Sequence, residues 1–200
     1  MDDPHKPEPR SDEALMLSFR DGDARAFEEL VARHRRGLFN FLLRSVQNRS
    51  RAEELLQEVF LRVIRSKDRY ERTAKLTTWL YTIARNLCVD ESRRAKFRRT
   101  TSLDAPRRGQ DDDAPALIDS VASEDVPTDE RAAAPQIRER IARAVALLPE
   151  DQREVFLMRQ INGLSFKEIG DIVGAPENTV KSRMRYALEK LRQELADFNV

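Results

Sequence analysis

Residues 163–195, GLSFKEIGDIVGAPENTVKSRMRYALEKLRQEL, admit few folds. Ser165, with Glu168 three positions on, makes a capping box, in which hydroxyl and carboxylate each satisfy a free backbone N–H at a helix start. Phe166, Ile169, Ile172 and Val173 then recur on one helical face, and Gly174 can end that short helix in the left-handed conformation. Pro176 suits a first helical position. Beyond it, Val180, Met184, Ala187, Leu188, Leu191 and Leu195 line a single inward face of a second helix. Two helices around a Gly-containing turn predict a helix-turn-helix. Its outer face carries Asn178, Thr179, Lys181, Ser182 and Arg185, flanked by Arg183 and Tyr186. These are donors for phosphate oxygens and base edges, on the turns that would meet a major groove.

The remaining chain reads as all-helical. Charged residues make up 36% and aromatics 6% of 200 residues, with repeated cap signals and few β-branched runs. The net charge of +1 averages over segments of opposite sign. The one cysteine, Cys88, has no internal disulfide partner, and His5 and His34 lack metal-ligand spacing, so neither a metal nor a cofactor is expected. No apolar run reaches membrane-spanning length and the start, MDDPHKPEPR, does not resemble a signal peptide, so a cytoplasmic protein without membrane insertion is expected. Gly-rich phosphate loops, nucleophile arrangements and spaced carboxylate clusters are missing, which argues against an enzyme.

Residues 1–10 read as a flexible, Pro-rich lead. Ser11 caps a helix with Leu15 and Phe19 inward, ended by Gly22. A longer helix after Asp23 turns Phe27, Leu30, Val31, Leu38, Phe41, Leu42 and Val46 inward; His34 lies near that stripe and is given no role. Ser50 with Glu53 repeats the capping box and opens a helix burying Ala52, Leu55, Leu56, Val59, Phe60, Val63 and Ile64. Its other face shows Glu54, Gln57, Glu58, Arg62 and Arg65. Periodicity fails over Lys67–Leu76, a loop of cations with Tyr70. Thr77 then caps a helix with Trp79, Ile83 and Leu87 inward, while Tyr81, Arg85, Arg93 and Arg94 populate the rest. From Tyr81 to Thr100 there are six basic and two acidic residues. Aromatics beside cations suit an unpaired strand, since bases stack on rings while the backbone follows positive charge.

Composition changes at Ser102. Residues 102–135 hold nine acidic and three basic residues, four prolines and no aromatic, so they cannot offset their ordering entropy. Order returns at Gln136 with the stripe Ile137, Ile141, Val145 and Leu148. Pro149 precedes a helix carrying Val155, Phe156 and Met158. The expected architecture is all-α, two small helical domains joined by a flexible acidic linker: a lead over 1–10, a first domain over 11–100, the linker over 101–135, and a second domain over 136–200 ending in the helix-turn-helix.

In this order the segments DARAFEELVARHRRGLFNFLLR, AEELLQEVFLRVIR, TTWLYTIARNLCVDESRR and LPEDQREVFLMRQINGLSFKEIGDIVGAPENTVKSRMRYALEKLR resemble the extracytoplasmic-function sigma factors of bacterial RNA polymerase. The resemblance implies a promoter-specificity subunit, not itself an enzyme, that joins core RNA polymerase and reads two promoter elements. It implies that Glu54, Leu55, Gln57, Glu58 and Arg62 dock on the clamp helices, and that the second domain meets the flap. Tyr70, Arg72, Lys75, Thr77, Trp79, Tyr81, Arg85, Arg93 and Arg94 would hold the melted minus-ten strand. Asn178, Thr179, Lys181, Ser182, Arg183, Arg185 and Tyr186 would meet the double-stranded minus-thirty-five element. An anti-sigma factor is the implied regulator. The chain departs from the family where it has Arg51 in place of a frequent acidic residue, and Arg72 and Thr73 in place of a frequent Gly-Asp pair. The competing readings are a stand-alone helix-turn-helix regulator, which would dimerise on a palindrome, and a helical protein-protein interaction adaptor with merely solubilising cations.

Overall fold

The computed structural model describes residues 10–70, 75–101 and 134–196. The expected lead up to residue 9, the linker over 102–133, and Arg72 and Thr73 lie outside the described residues. The elements are α1 (Asp12–Arg20), α2 (Ala24–Val46), α3 (Arg49–Ser66), a 3-10 turn (Lys67–Arg69), α4 (Leu76–Thr101), α5 (Ala134–Ala146), α6 (Glu150–Gln160), α7 (Phe166–Val173) and α8 (Glu177–Glu194). There is no strand among the described residues.

In the first domain, α2 packs against α1, α3 and α4. Local chemistry starts each helix. The Ser11 hydroxyl accepts the Ala14 N–H at 3.2 Å, and Asp23 accepts the N–H groups of Arg25 and Ala26 at the head of α2. Arg10, expected in the lead, reaches Glu29 at 3.1 Å and Asp23 at 3.4 Å. The core is Leu15, Met16, Leu30, Leu38, Phe41, Leu42, Ala52, Leu55, Val59 and Val63, with Leu76, Leu80 and Ala84 from α4. Cys88 of α4 is set beside Ser45, and burial pushes its thiol up to about 12, which keeps it protonated.

Three expectations about helix starts and faces need correction. The cap of α3 is Asn48, whose side chain accepts the Arg51 N–H at 2.8 Å, not Ser50. Gln47 takes the left-handed conformation at φ 55°, so α2 gives way to α3 within two residues and the helix has begun before Ser50 is reached. Likewise α4 begins at Leu76, ahead of Thr77, because Glu13 of α1 accepts the Leu76 N–H at 3.1 Å. Ile64, Ile141 and Leu188, expected inward, are instead about two-fifths exposed.

In the second domain α6 and α7 pack on α8, and α5 also touches α8. The helix-turn-helix forms as its sequence dictates. Ser165 and Glu168 make the reciprocal capping box, and Gly174 takes φ 68° at the end of α7. Pro176 stands one position earlier than expected, as the cap residue of α8. Gly170 is fixed by crowding: a Cβ there would lie 2.7 Å from the Ala175 carbonyl oxygen, so only glycine lets the turn close against α7. Val155, Leu157, Met158, Ile169, Val180 and Ala187 are fully buried between the three helices. The two domains touch, with α4 against α7 and α2 against α6.

Candidate nucleic-acid interface

The outer face of α8 follows from its inner one. Burying Val180, Met184, Ala187 and Leu191 leaves Asn178, Thr179, Lys181, Ser182, Arg185 and Tyr186 in solvent on the first turns of the helix. Lys181 reaches Glu177 at 2.7 Å, one turn back, and both side chains remain about half exposed. An exposed pair of this kind contributes little, so the ammonium is free to exchange its carboxylate for a phosphate. The Arg185 guanidinium lies over the Tyr186 ring, 5.0 Å from its centroid. Planar, stacked and solvent-facing, it donates from one Nη to the Tyr186 hydroxyl at 3.3 Å and presents its other donors to solvent. Arg183 does not belong with them. It turns inward to Asp151 at 3.2 Å and approaches Glu154 at 3.9 Å, fixing α8 on α6.

The cation and aromatic residues of α4 and its approach fall into two groups. Arg93 and Arg94 are exposed, Thr77 is half-buried, and Trp79 is half-buried with its ring 5.5 Å from that of Tyr70. Tyr70 itself is buried, against the expectation of an open loop residue. Tyr81, Lys75 and Arg85 are engaged by the second domain. Tyr81 is only 4% exposed, its ring edge-on to Phe41, and its hydroxyl donates to Asn162 Oδ1 at 2.5 Å. Burial pushes its phenol up. Lys75 pairs with Glu168 at 2.9 Å, and Arg85 donates to Glu154 from Nε at 2.8 Å. Helical phase alone placed Tyr81 on a solvent face; the second domain covers that face.

On α3, Glu54 and Gln57 are exposed and Glu58 and Arg62 are half-buried, paired with each other at 3.0 Å. Leu55 is 3% exposed and belongs to the core, so it is not available to a partner. The apolar residues on that outer face are Leu61, 43% exposed, and Ile64. Leu61 stands seven positions after Glu54, two turns along the same stripe, which is the signal that would have found it. Arg51 ion-pairs with Glu54 and, at 2.7 Å, with Glu91 of α4, so the family's frequent acidic residue is replaced here by a clasp between two helices.

A helix-turn-helix with a free polar face, beside a helix of cations and aromatics, is the layout of a helical nucleic-acid reader. Comparison with known proteins gives it a family. Residues 30–98 match the model of Sigma-70 region 2 and residues 138–191 that of Sigma-70, region 4. The chain is 36% identical over 185 residues to the RNA polymerase sigma factor CarQ of Myxococcus xanthus, covering 92% of this chain and 98% of that protein. It is 30% identical over 176 residues to the ECF RNA polymerase sigma factor SigW of Bacillus subtilis, covering 88% and 92%. In fold it is similar to CnrH, solved in complex with the cytosolic domain of CnrY, with a TM-score of 0.67 at 23% identity over 95% of this chain and 100% of that one. A similar match is the sigma factor RpoE of Bartonella quintana, solved with the anti-sigma factor NepR, with a TM-score of 0.66 at 22% identity over 86% and 98%.

The chain belongs to the extracytoplasmic-function sigma factors. It is a transcription initiation factor of RNA polymerase that works in promoter recognition. No described helix is long and apolar enough to cross a membrane.

Proposed function

We propose that this sigma factor docks on core RNA polymerase through the outer face of α3, at Glu54, Gln57, Glu58, Leu61 and Arg62, and on the flap through its second domain. The face of α8 formed by Asn178, Thr179, Lys181, Ser182, Arg185 and Tyr186 reads the minus-thirty-five duplex. Lys75, Thr77, Trp79, Tyr81, Arg85, Arg93 and Arg94 of α4 and its approach, together with Tyr70 and Arg72, hold the melted minus-ten strand. The domain boundaries are those expected from composition, with the acidic stretch joining the two readers. An anti-sigma factor that covers these faces controls it, and it works in the cytoplasm without catalysing a reaction itself.

The observation that carries this reading is the α8 face: six polar side chains stay exposed, Arg183 apart, while the helix behind them is fixed by a fully buried core. Family membership favours it over a free-standing regulator or an adaptor. Phosphate contacts give salt-dependent affinity and base contacts give sequence choice, yet two readers on one chain are poorly spaced until a larger body sets their separation. Run-off transcription with purified core polymerase over a broad promoter set tests it. Initiation on a subset of promoters, lost in Lys181→Ala and Arg185→Ala, is the expected result; no initiation on any promoter would refute it.

A further inference from the structure

At the head of α8 stands an acid to which a DNA-reading face gives no evident task. Glu177 is the first residue of the helix, and its carboxylate lies 2.7 Å from the Lys181 ammonium, with 46% of the side chain exposed. Lys181 belongs to the exposed polar face, so the pair brings a full negative charge to the edge of that face, on the turn that meets base edges first. The second domain's other acids are held differently. Glu154 joins α6 to α4, Glu168 closes the capping box of α7, and Glu189 is taken by Arg192 at 3.1 Å and Gln193 at 3.2 Å. Glu177 has, among the described residues, Lys181 as its one ion-pair partner.

That partner is the side chain which exchanges its carboxylate for a phosphate. Once it does, Glu177 faces a groove walled by phosphates and floored largely by acceptors: N7 and O6 of guanine, N7 of adenine and O4 of thymine. An ionised carboxylate only accepts hydrogen bonds, so it needs one of the two amines on that floor. The adenine amine sits beside N7, an acceptor that repels a carboxylate and suits an amide instead. The cytosine amine has no acceptor beside it on its own base. Opposite any base but cytosine the carboxylate is desolvated without a donor, which is costly.

We propose that Glu177 is a specificity-determining residue of the duplex reader, accepting from the exocyclic amine of a cytosine and rejecting the other three bases at that position. This rests on the assignment of the α8 face to the minus-thirty-five duplex. An acid in the first turn also favours the helix, whose cap residue Pro176 makes no side-chain hydrogen bond. That contribution is to stability and is blind to promoter sequence, so experiment separates the two.

The test is run-off transcription by the holoenzyme from a promoter it uses and from every single base-pair change across the minus-thirty-five element, with Glu177→Ala and Glu177→Gln beside the wild type. Wild type should lose about tenfold when one particular C·G pair is replaced. Glu177→Ala should accept all four bases there within about twofold, and Glu177→Gln should move the preference to adenine, which an amide reads through N6 and N7. Preferences at the other positions should stay as in the wild type. A purely structural acid would shift no preference, and a purely repulsive one, once removed, would strengthen every promoter by the same factor. Either result, or a wild type indifferent to cytosine at every position, would overturn the proposal. Glu177→Gln keeps the shape of the side chain, and a thermal melt of each variant checks the fold. Arg185→Ala tells this apart from the underlying reading: if it too leaves every preference intact, α8 is not the reader, whereas a shift with Arg185→Ala and none with the Glu177 variants refutes the role of the acid alone.

Discussion

Arg85 and Arg183 share one carboxylate. Glu154 accepts from Arg85 at 2.8 Å and lies 3.9 Å from Arg183, so a single acid of α6 stands between α4 and α8. Burial raises the Glu154 carboxyl, and Arg85, then Arg183, oppose the rise. A carboxyl raised on folding keeps its proton longer than in the unfolded chain, so stability falls as pH climbs from the ordinary carboxyl value of 4.5 through the folded one. Arg85→Ala removes the larger opposing charge. It should cost about 3 kcal/mol at pH 7, the low end for breaking a buried pair, and the deficit should narrow toward pH 5. Urea unfolding of wild type and variant at the two pH values checks this; a deficit that does not change with pH would refute it.

Glu168 moves the other way. Burial would raise its carboxyl, but hydrogen bonds from the Ser165 hydroxyl, from Lys75 and from the Ser165 N–H bring it down to about 2 from 4.5. The stabilisation is complete above about pH 4.5 and is lost as pH falls toward 2. Glu168→Gln should therefore unfold more easily at neutral pH, by about 1 kcal/mol as for a lost helix cap, and converge with wild type in acid. Thermal melts between pH 7 and 2 measure it, and parallel curves throughout would contradict the assignment.

Gly37 and Gly170 are both helical glycines, yet alanine should have opposite effects on the fold. At Gly37 the obstructing atoms are the ends of two flexible side chains, so the helix gains up to about 1 kcal/mol while the interdomain bond is displaced. At Gly170 the obstruction is the Ala175 carbonyl oxygen at 2.7 Å, which cannot swing away. Gly170→Ala should destabilise the helix-turn-helix by about 1–3 kcal/mol, the usual cost of overpacking. Circular dichroism melts rank the two, and an equally stable Gly170→Ala would show that the turn yields.

Lys181→Ala and Arg185→Ala remove exposed side chains and should leave the melting temperature within experimental scatter. Arg185→Ala should cost about 1–3 kcal/mol of promoter discrimination if it reads a base, whereas Lys181→Ala should weaken all promoters alike and flatten the salt dependence if it meets a phosphate. Promoter-variant transcription at two salt concentrations distinguishes the roles.

On α3, Leu61→Glu should reduce core polymerase binding about tenfold or more without loss of fold, because the residue is 43% exposed. Arg51→Glu should instead destabilise the first domain, placing three carboxylates together at Glu54 and Glu91. A pull-down on core enzyme and a thermal melt of each variant separate the two effects.

The helix-turn-helix was legible in the sequence because its signals are local: a reciprocal cap at Ser165 and Glu168, a left-handed glycine at 174 and a helical stripe behind Lys181. What was not legible depends on distant partners. Nothing near Leu76 announces that Glu13, from α1, starts its helix, and nothing near Tyr81 announces Asn162. Asn48 was overlooked because Gln47, not glycine, makes the left-handed turn that separates α2 from α3. The repeat on α3 places Leu55 inside, as the structure does; only the resemblance gave it a docking role, and Leu61 carries no signal of its own in that repeat.

Lys75, Tyr81 and Arg85 meet their counterparts within one polypeptide, across roughly thirty intervening residues between Thr101 and Ala134, which span at most about 110 Å when drawn out. The contact between the two domains is thus intramolecular, and its equilibrium does not depend on dilution. A partner that engages either domain therefore competes with a neighbour held at a fixed effective concentration, however little or much of the protein is present.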